Sequence, residues 1–205
     1  MAAQSVQPGD VHNYRAVVVL GGPDSANDPG AKMPNELTFV RAVLDADIPY
    51  LGICLGLQVL VKAAGGKVVA AETKEVGFID GENDRYSLTV TAAGDADPLL
   101  AGLPKHLQVF QLHGETVELT SEMQVLATGR HCRNQIVKVA PHAYGIQPHF
   151  ELTSEMLKVW AEHDPDLKPI GAAQLMAEFE AIHQPYTQMG ERLLRNFLRI
   201  AELVD

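Results

Sequence analysis

Cysteine is scarce in this chain. Its 205 residues hold two, Cys54 and Cys132, which excludes a disulfide framework and points to a reducing cytoplasm. No run approaches the ~20 consecutive apolar residues of a membrane span. The N-terminal MAAQSVQPGD lacks the basic and apolar segments of a secretory signal. Basic residues are in deficit: 16 Lys and Arg against 26 Asp and Glu leave a formal charge of −10, the wrong sign for a nucleic-acid partner. Repeats and low-complexity tracts are absent too. What is there is ordinary for a globular chain, 46% hydrophobic and 20% charged. The length fits one domain that buries about 70% of its unfolded surface. A single domain over 1–205 is therefore expected, with 1–13 polar and loose.

The stretch Pro49–Leu60, PYLGICLGLQVL, organises the rest. Pro49 to Ile53 reads as a buried strand, and Leu57 to Ala63 as a packed helix that stops at Gly65–Gly66. Between them Cys54 has glycine two residues away on each side, Gly52 and Gly56. A nucleophile on a sharp strand-to-helix turn needs such neighbours, because strand and helix approach closely there. It would also sit at a helix N-terminus, where free N–H groups favour thiolate. A buried cysteine among packing glycines is the alternative.

Ahead of this stretch, Ala16–Leu20 is a β-branched run expected to be a buried parallel strand, and Asp24–Asn35 a loop. Glu36–Ala46 carries apolar residues at helical spacing and reads as a crossover helix. The order strand, helix, strand, helix predicts an α/β, doubly wound, mostly parallel sheet with flanking helices. After Gly66 come short strand-like runs at 67–70, 86–91, 107–112, 124–127, 135–139 and 144–147, with 97–104 as a loop that has room for one helical turn. Residues 153–205 read as C-terminal helices, capped at Thr153 or Ser154, with further helices over 172–182 and from about Gln188.

A cysteine nucleophile needs a base, and the base an orienting group. In extended chain, His149 and Glu151 share a face, so the carboxylate could hold one imidazole nitrogen while the other faces Cys54. A solvated strand edge is the plainer reading of that pair. Cys132 reads as a loop thiol, since His131 is adjacent and no second pair has zinc-like spacing. Glu72, Glu75, Asp80, Glu82 and Asp84 read as a solvated acidic rim.

Four segments in order carry a resemblance: Gly21-Gly22-Pro23, Leu51–Gln58 (LGICLGLQ), Gln111–Glu115 (QLHGE) and Tyr144–Glu151 (YGIQPHFE). Together they resemble the motif set of the class I, triad-type glutamine amidotransferases, a flavodoxin-like fold. The nearest likeness is to stand-alone members similar to the glutaminase part of GMP synthase. The resemblance implies that Cys54 attacks the glutamine side-chain amide, that His149 manages protons and that Glu151 orients His149. It implies an oxyanion hole from the backbone N–H groups of Gly22 and Leu55, and substrate binding by Gln58 and by backbone at Leu112 and His113. No metal and no organic cofactor is implied. Ammonia would pass to an acceptor or synthetase on another chain. A γ-glutamyl peptidase and a catalytically silent regulatory subunit are the rival readings.

Three departures stand out. Leu112 replaces the usual serine. Pro148-His149-Phe150-Glu151 replaces Phe-His-Pro-Glu; related members vary after the histidine, but Pro148 fixes φ and removes a donor just before the base. The family's N-terminal strand-helix-strand has no counterpart ahead of Ala16, where only about fifteen residues precede, against the ~30 of a βαβ unit. An apolar strand left without neighbours predicts a homo-oligomer.

Overall fold

The structure is a computed structural model that describes residues 9–205. The first eight residues of the segment expected to be loose lie outside the described residues. Its remainder includes one turn of helix. Asp10 accepts a hydrogen bond from the His12 backbone N–H at 3.0 Å and caps a short 3-10 turn at Val11–Asn13.

The chain runs β1 (Val17–Val19), α1 (Lys32–Asp45), β2 (Tyr50–Ile53), α2 (Leu55–Ala63), β3 (Lys67–Gly77), β4 (Ser87–Val90) and α3 (Ala92–Ala96). It continues β5 (His106–Gln108), β6 (Gln111–Glu118), β7 (Gln124–Thr128), β8 (Ile136–Ala140), β9 (Ala143–Ile146), α4 (Ser154–His163), α5 (Ala172–Glu180) and α6 (His183–Ile200). A seven-stranded sheet has the order β1-β2-β9-β8-β7-β4-β5, and β3 pairs with β6 in a separate two-stranded sheet. The parallel pairings are β1 with β2 and β2 with β9, the strands that carry the motifs. The other four pairings are antiparallel and extend the sheet on one side.

Alternation along β2 explains the layers. Tyr50 and Leu51 point to opposite faces. Tyr50 joins Leu57, Leu60, Val40 and Val43 under α1 and α2, whereas Leu51 joins Tyr144, Leu193 and Phe197 under α6. Helix α2 is buried from Leu55 through Val61, as a stretch apolar on every face but for Gln58 requires. A third cluster, around Phe78, Phe110, Leu157 and Phe179, packs α4 and α5 against the two-stranded sheet.

Several expectations need correction. Ala16–Leu20 is not a buried strand: among the described residues β1 pairs only with β2, and Val18 and Leu20 are 45% and 56% exposed. Helices α1 and α6 start earlier than expected, with Pro34 and Pro185 in their first turns. A proline costs nothing there, because those N–H groups have no intrahelical partner. The run at 107–112 divides between β5 and β6, which belong to different sheets. Helix α3 was not expected; Thr91 caps it by accepting from the Gly94 N–H at 3.0 Å. At the next helix the expected cap holds, with Thr153 accepting from the Met156 N–H.

Candidate active site

Cys54 joins β2 to α2 with φ 52° and ψ −106°, a strained conformation for a side-chain-bearing residue. The strain is held by close backbone approach. A Cβ on Gly52 would overlap the Gly56 carbonyl, and one on Gly56 would overlap the Val19 carbonyl. The Cys54 N–H donates to the Ile146 carbonyl at 2.7 Å, tying the turn to the strand that leads to His149. Its sulfur lies 3.8 Å from the Leu112 carbonyl oxygen and is nearly buried.

Strand β9 delivers His149 to the same place. Its Nδ1 is 2.7 Å from Glu151 Oε1, and Glu151 Oε2 accepts from the Phe150 N–H at 2.9 Å. Burial works against a charged imidazole here. Hydrogen bonds to Cys54 and Glu151 outweigh it and push the His149 pKa up to about 10. For Glu151, burial works upward, yet the His149 bond and charge hold its carboxyl below the ordinary range. Trp160 presents its ring at 5.0 Å from the imidazole. Pro148 is harmless in this setting: β9 has ended, and the backbone contact resumes one residue later, where the His149 N–H donates to the Phe110 carbonyl at 2.9 Å. Phe150 stacks on Tyr186 of α6, whose hydroxyl donates to the His149 carbonyl.

Cys54 and His149 open on a cavity of about 710 Å³. Gly22, Leu55, Gln58, Leu112 and His113 line it, so every residue singled out from sequence, save Glu151 behind its histidine, borders one space. Gly22 and Leu55 are neighbours, since a Cβ on Gly22 would meet the Leu55 side chain at 3.4 Å. Gln58 is turned inward, donating from Nε2 to the Glu115 carbonyl at 3.3 Å. The His113 ring is engaged elsewhere: Nε2 lies 2.9 Å from Glu75 Oε2 and Nδ1 lies 3.0 Å from the Glu115 carbonyl. Glu75 therefore leaves the acidic rim, at 1% exposure, and Asp80 is covered by His131 and Arg130. Cys132 is a loop thiol as expected, in the β7–β8 turn, and it is buried. Sequence reading assigned no role to Glu115, Trp160 or the Lys74–Asp166 ion pair, all on the cavity wall. Glu115 closes the QLHGE segment, whereas Trp160 comes from α4, Lys74 from β3 and Asp166 from the turn after α4, brought together by tertiary packing.

The Glutamine amidotransferase class-I family matches this chain over residues 2–160. The glutamine amidotransferase-like protein YfeJ of Salmonella typhimurium is 30% identical over 197 residues, covering 92% of this chain and 79% of that protein. The glutamine-hydrolysing GMP synthase of Bacillus pumilus is 35% identical over 140 residues, 67% of this chain but 24% of the synthase. The chain thus spans about a quarter of the GMP synthases it matches. Among solved structures, a glutamine amidotransferase from Thermotoga maritima superposes with a TM-score of 0.79 at 29% identity, covering 93% of this chain and 80% of that one. With the elbow, the histidine-carboxylate pair and the shared cavity in place, the chain belongs to the class-I glutamine amidotransferase family.

Proposed function

We propose that this protein hydrolyses the side-chain amide of glutamine through a thioester on Cys54. The observation that carries the reading is the continuous line Cys54–His149–Glu151, whose first two members line the cavity of about 710 Å³. Cys54, its proton passed to His149, attacks the amide carbon as a thiolate. The resulting oxyanion is met by the Gly22 and Leu55 N–H groups, and one such donor can contribute about 3 kcal/mol. His149 gives its proton to the departing nitrogen, ammonia leaves, and the thioester remains. His149, now neutral, takes a proton from water as the water attacks; glutamate departs and the thiolate–imidazolium pair is restored. Gln58 and the backbone at Leu112 and His113 hold the amino-acid end. Ammonia passes to an acceptor or synthetase on another chain, the protein working in a reducing cytoplasm as a homo-oligomer joined through β1.

A second reading has one observation in its favour. The cavity continues past the catalytic pair along α4 to Trp160 and the Lys74–Asp166 pair, a volume in the range of sites for larger ligands. A γ-glutamyl amide carrying a bulkier amine would fill it. Assaying glutamine beside γ-glutamyl dipeptides separates the two.

The test of the shared chemistry is a pair of variants. Cys54→Ala and His149→Ala should each lower kcat by roughly 10³-fold or more, and the double variant should lose little beyond the worse single. Multiplicative losses would mean that the residues do not act as a unit. Unchanged turnover in the singles would remove Cys54 and His149 from the chemistry, whereas none in the parent would leave a regulatory subunit.

A further inference from the structure

We propose that Glu75, His113 and Cys132 form a buried site for a tetrahedral divalent metal ion of zinc-like preference, behind the strand that flanks Cys54. The three residues come from β3, β6 and the β7–β8 turn, and their ligand atoms all lie within 4.8 Å of one another. Carboxylate oxygen, imidazole nitrogen and thiolate sulfur are the donor set zinc takes at tetrahedral sites. None of the three was legible as a ligand in sequence. His131, the neighbour of Cys132, turns away to Asp80 at 2.9 Å.

The surrounding groups are arranged as supports of a metal site. His113 Nδ1 faces the Glu115 carbonyl oxygen at 3.0 Å. A carbonyl can only accept, so Nδ1 carries the hydrogen and Nε2 is the nitrogen left for a metal, the arrangement usual for histidine ligands. Gln135 Nε2 donates to Glu75 Oε2 at 2.7 Å, and Thr116 Oγ1 lies 3.1 Å from Cys132 Sγ. Gln135 is fully buried, and its Oε1 has no hydrogen-bond partner among the described residues. That amide is already at the cluster, so its oxygen can serve as fourth ligand or hold a metal-bound water. Gly129 leaves room for this, since a Cβ there would stand 2.8 Å from Gln135 Nε2.

Entry of an ion asks little of the backbone. With metal–ligand bonds of about 2 Å, tetrahedral nitrogen and oxygen ligands stand about 3.3 Å apart, against 2.9 Å now between His113 Nε2 and Glu75 Oε2. The ion replaces the proton shared by that pair and the thiol proton of Cys132, so about two protons leave per ion bound.

The test uses the full chain stripped of metal and titrated with cobalt(II), with Cys54→Ser as background so that the catalytic thiol contributes nothing. One equivalent should bind, giving a thiolate-to-cobalt charge-transfer band with tetrahedral d–d absorption. Adding Cys132→Ser should abolish the band and weaken zinc binding by roughly 100-fold or more. A band that vanishes with Cys54→Ser and survives Cys132→Ser would place the ion in the active site and overturn the proposal. So would a Cys54→Ser protein that retains no cobalt. Should the Cys132→Ser chain fail to fold, X-ray absorption of the zinc-loaded Cys54→Ser protein decides. One sulfur among nitrogen and oxygen neighbours supports the site; a shell without sulfur overturns it.

Discussion

His149 sets the pH behaviour at the scale of single residues. Its folded pKa of about 10 lies above the ordinary histidine value of about 6.5, so it stays protonated through neutrality. The kcat/KM profile for glutamine is therefore expected to keep its alkaline limb near pH 10, and Glu151→Gln should move that limb downward by removing one of the two partners that raise it. A parent limb near 6.5 would contradict the assignment. The linkage has a definite sign. A raised folded pKa contributes stability that is fully present below about pH 6.5 and is lost as pH rises through about 10. The melting-temperature difference between the parent and His149→Gln should accordingly shrink across that window.

Among the elements, two helices hold the catalytic backbone from opposite sides of the sheet. Helix α2 sits against β1 and β2 through Gly52 and Gly56, and α6 grips the histidine loop through Tyr186. Gly56→Ala should lower stability by about 1–3 kcal/mol, because the atom in its way is the Val19 backbone, which cannot turn aside. Turnover should fall by roughly 100-fold as the elbow shifts. Gly30→Ala is the control: nothing lies within 4 Å of its Cβ position, so chemical denaturation should show a change within about 0.5 kcal/mol. Equal effects of the two substitutions would mean that the elbow is not sterically held.

For the whole molecule, the open question is the edge of the large sheet. Among the described residues β1 pairs on one side only, and Tyr14, Val18 and Leu20 are exposed there. An unpaired parallel-sheet edge with apolar side chains invites another strand, and a second β1 related by a two-fold axis is self-complementary. Light scattering at micromolar concentration should give twice the monomer mass. Val18→Lys with Leu20→Asp should give the monomer mass. The charge of −10 on each copy opposes association, so added salt should strengthen it. A parent that scatters as a monomer in high salt would remove this interface.

The sequence by itself determined the elbow, because a cysteine between two glycines at a strand-to-helix junction is a local requirement of sterics, legible in Gly52, Cys54 and Gly56. It also determined the α/β order of the first half and the pairing of His149 with Glu151, both set by spacing along the chain. Proline misled it about where α1 and α6 begin, since a proline that breaks a helix interior is welcome in a first turn. What only the tertiary structure decided was set by contacts between distant segments. Burial of Glu75 and Cys132, the pairing of the His113 ring with Glu75, and the placement of Trp160 beside His149 come from β3, β6, the β7–β8 turn and α4 packing together. The position of β1 at the sheet edge belongs to the same class, because an apolar run specifies a strand but not its neighbours.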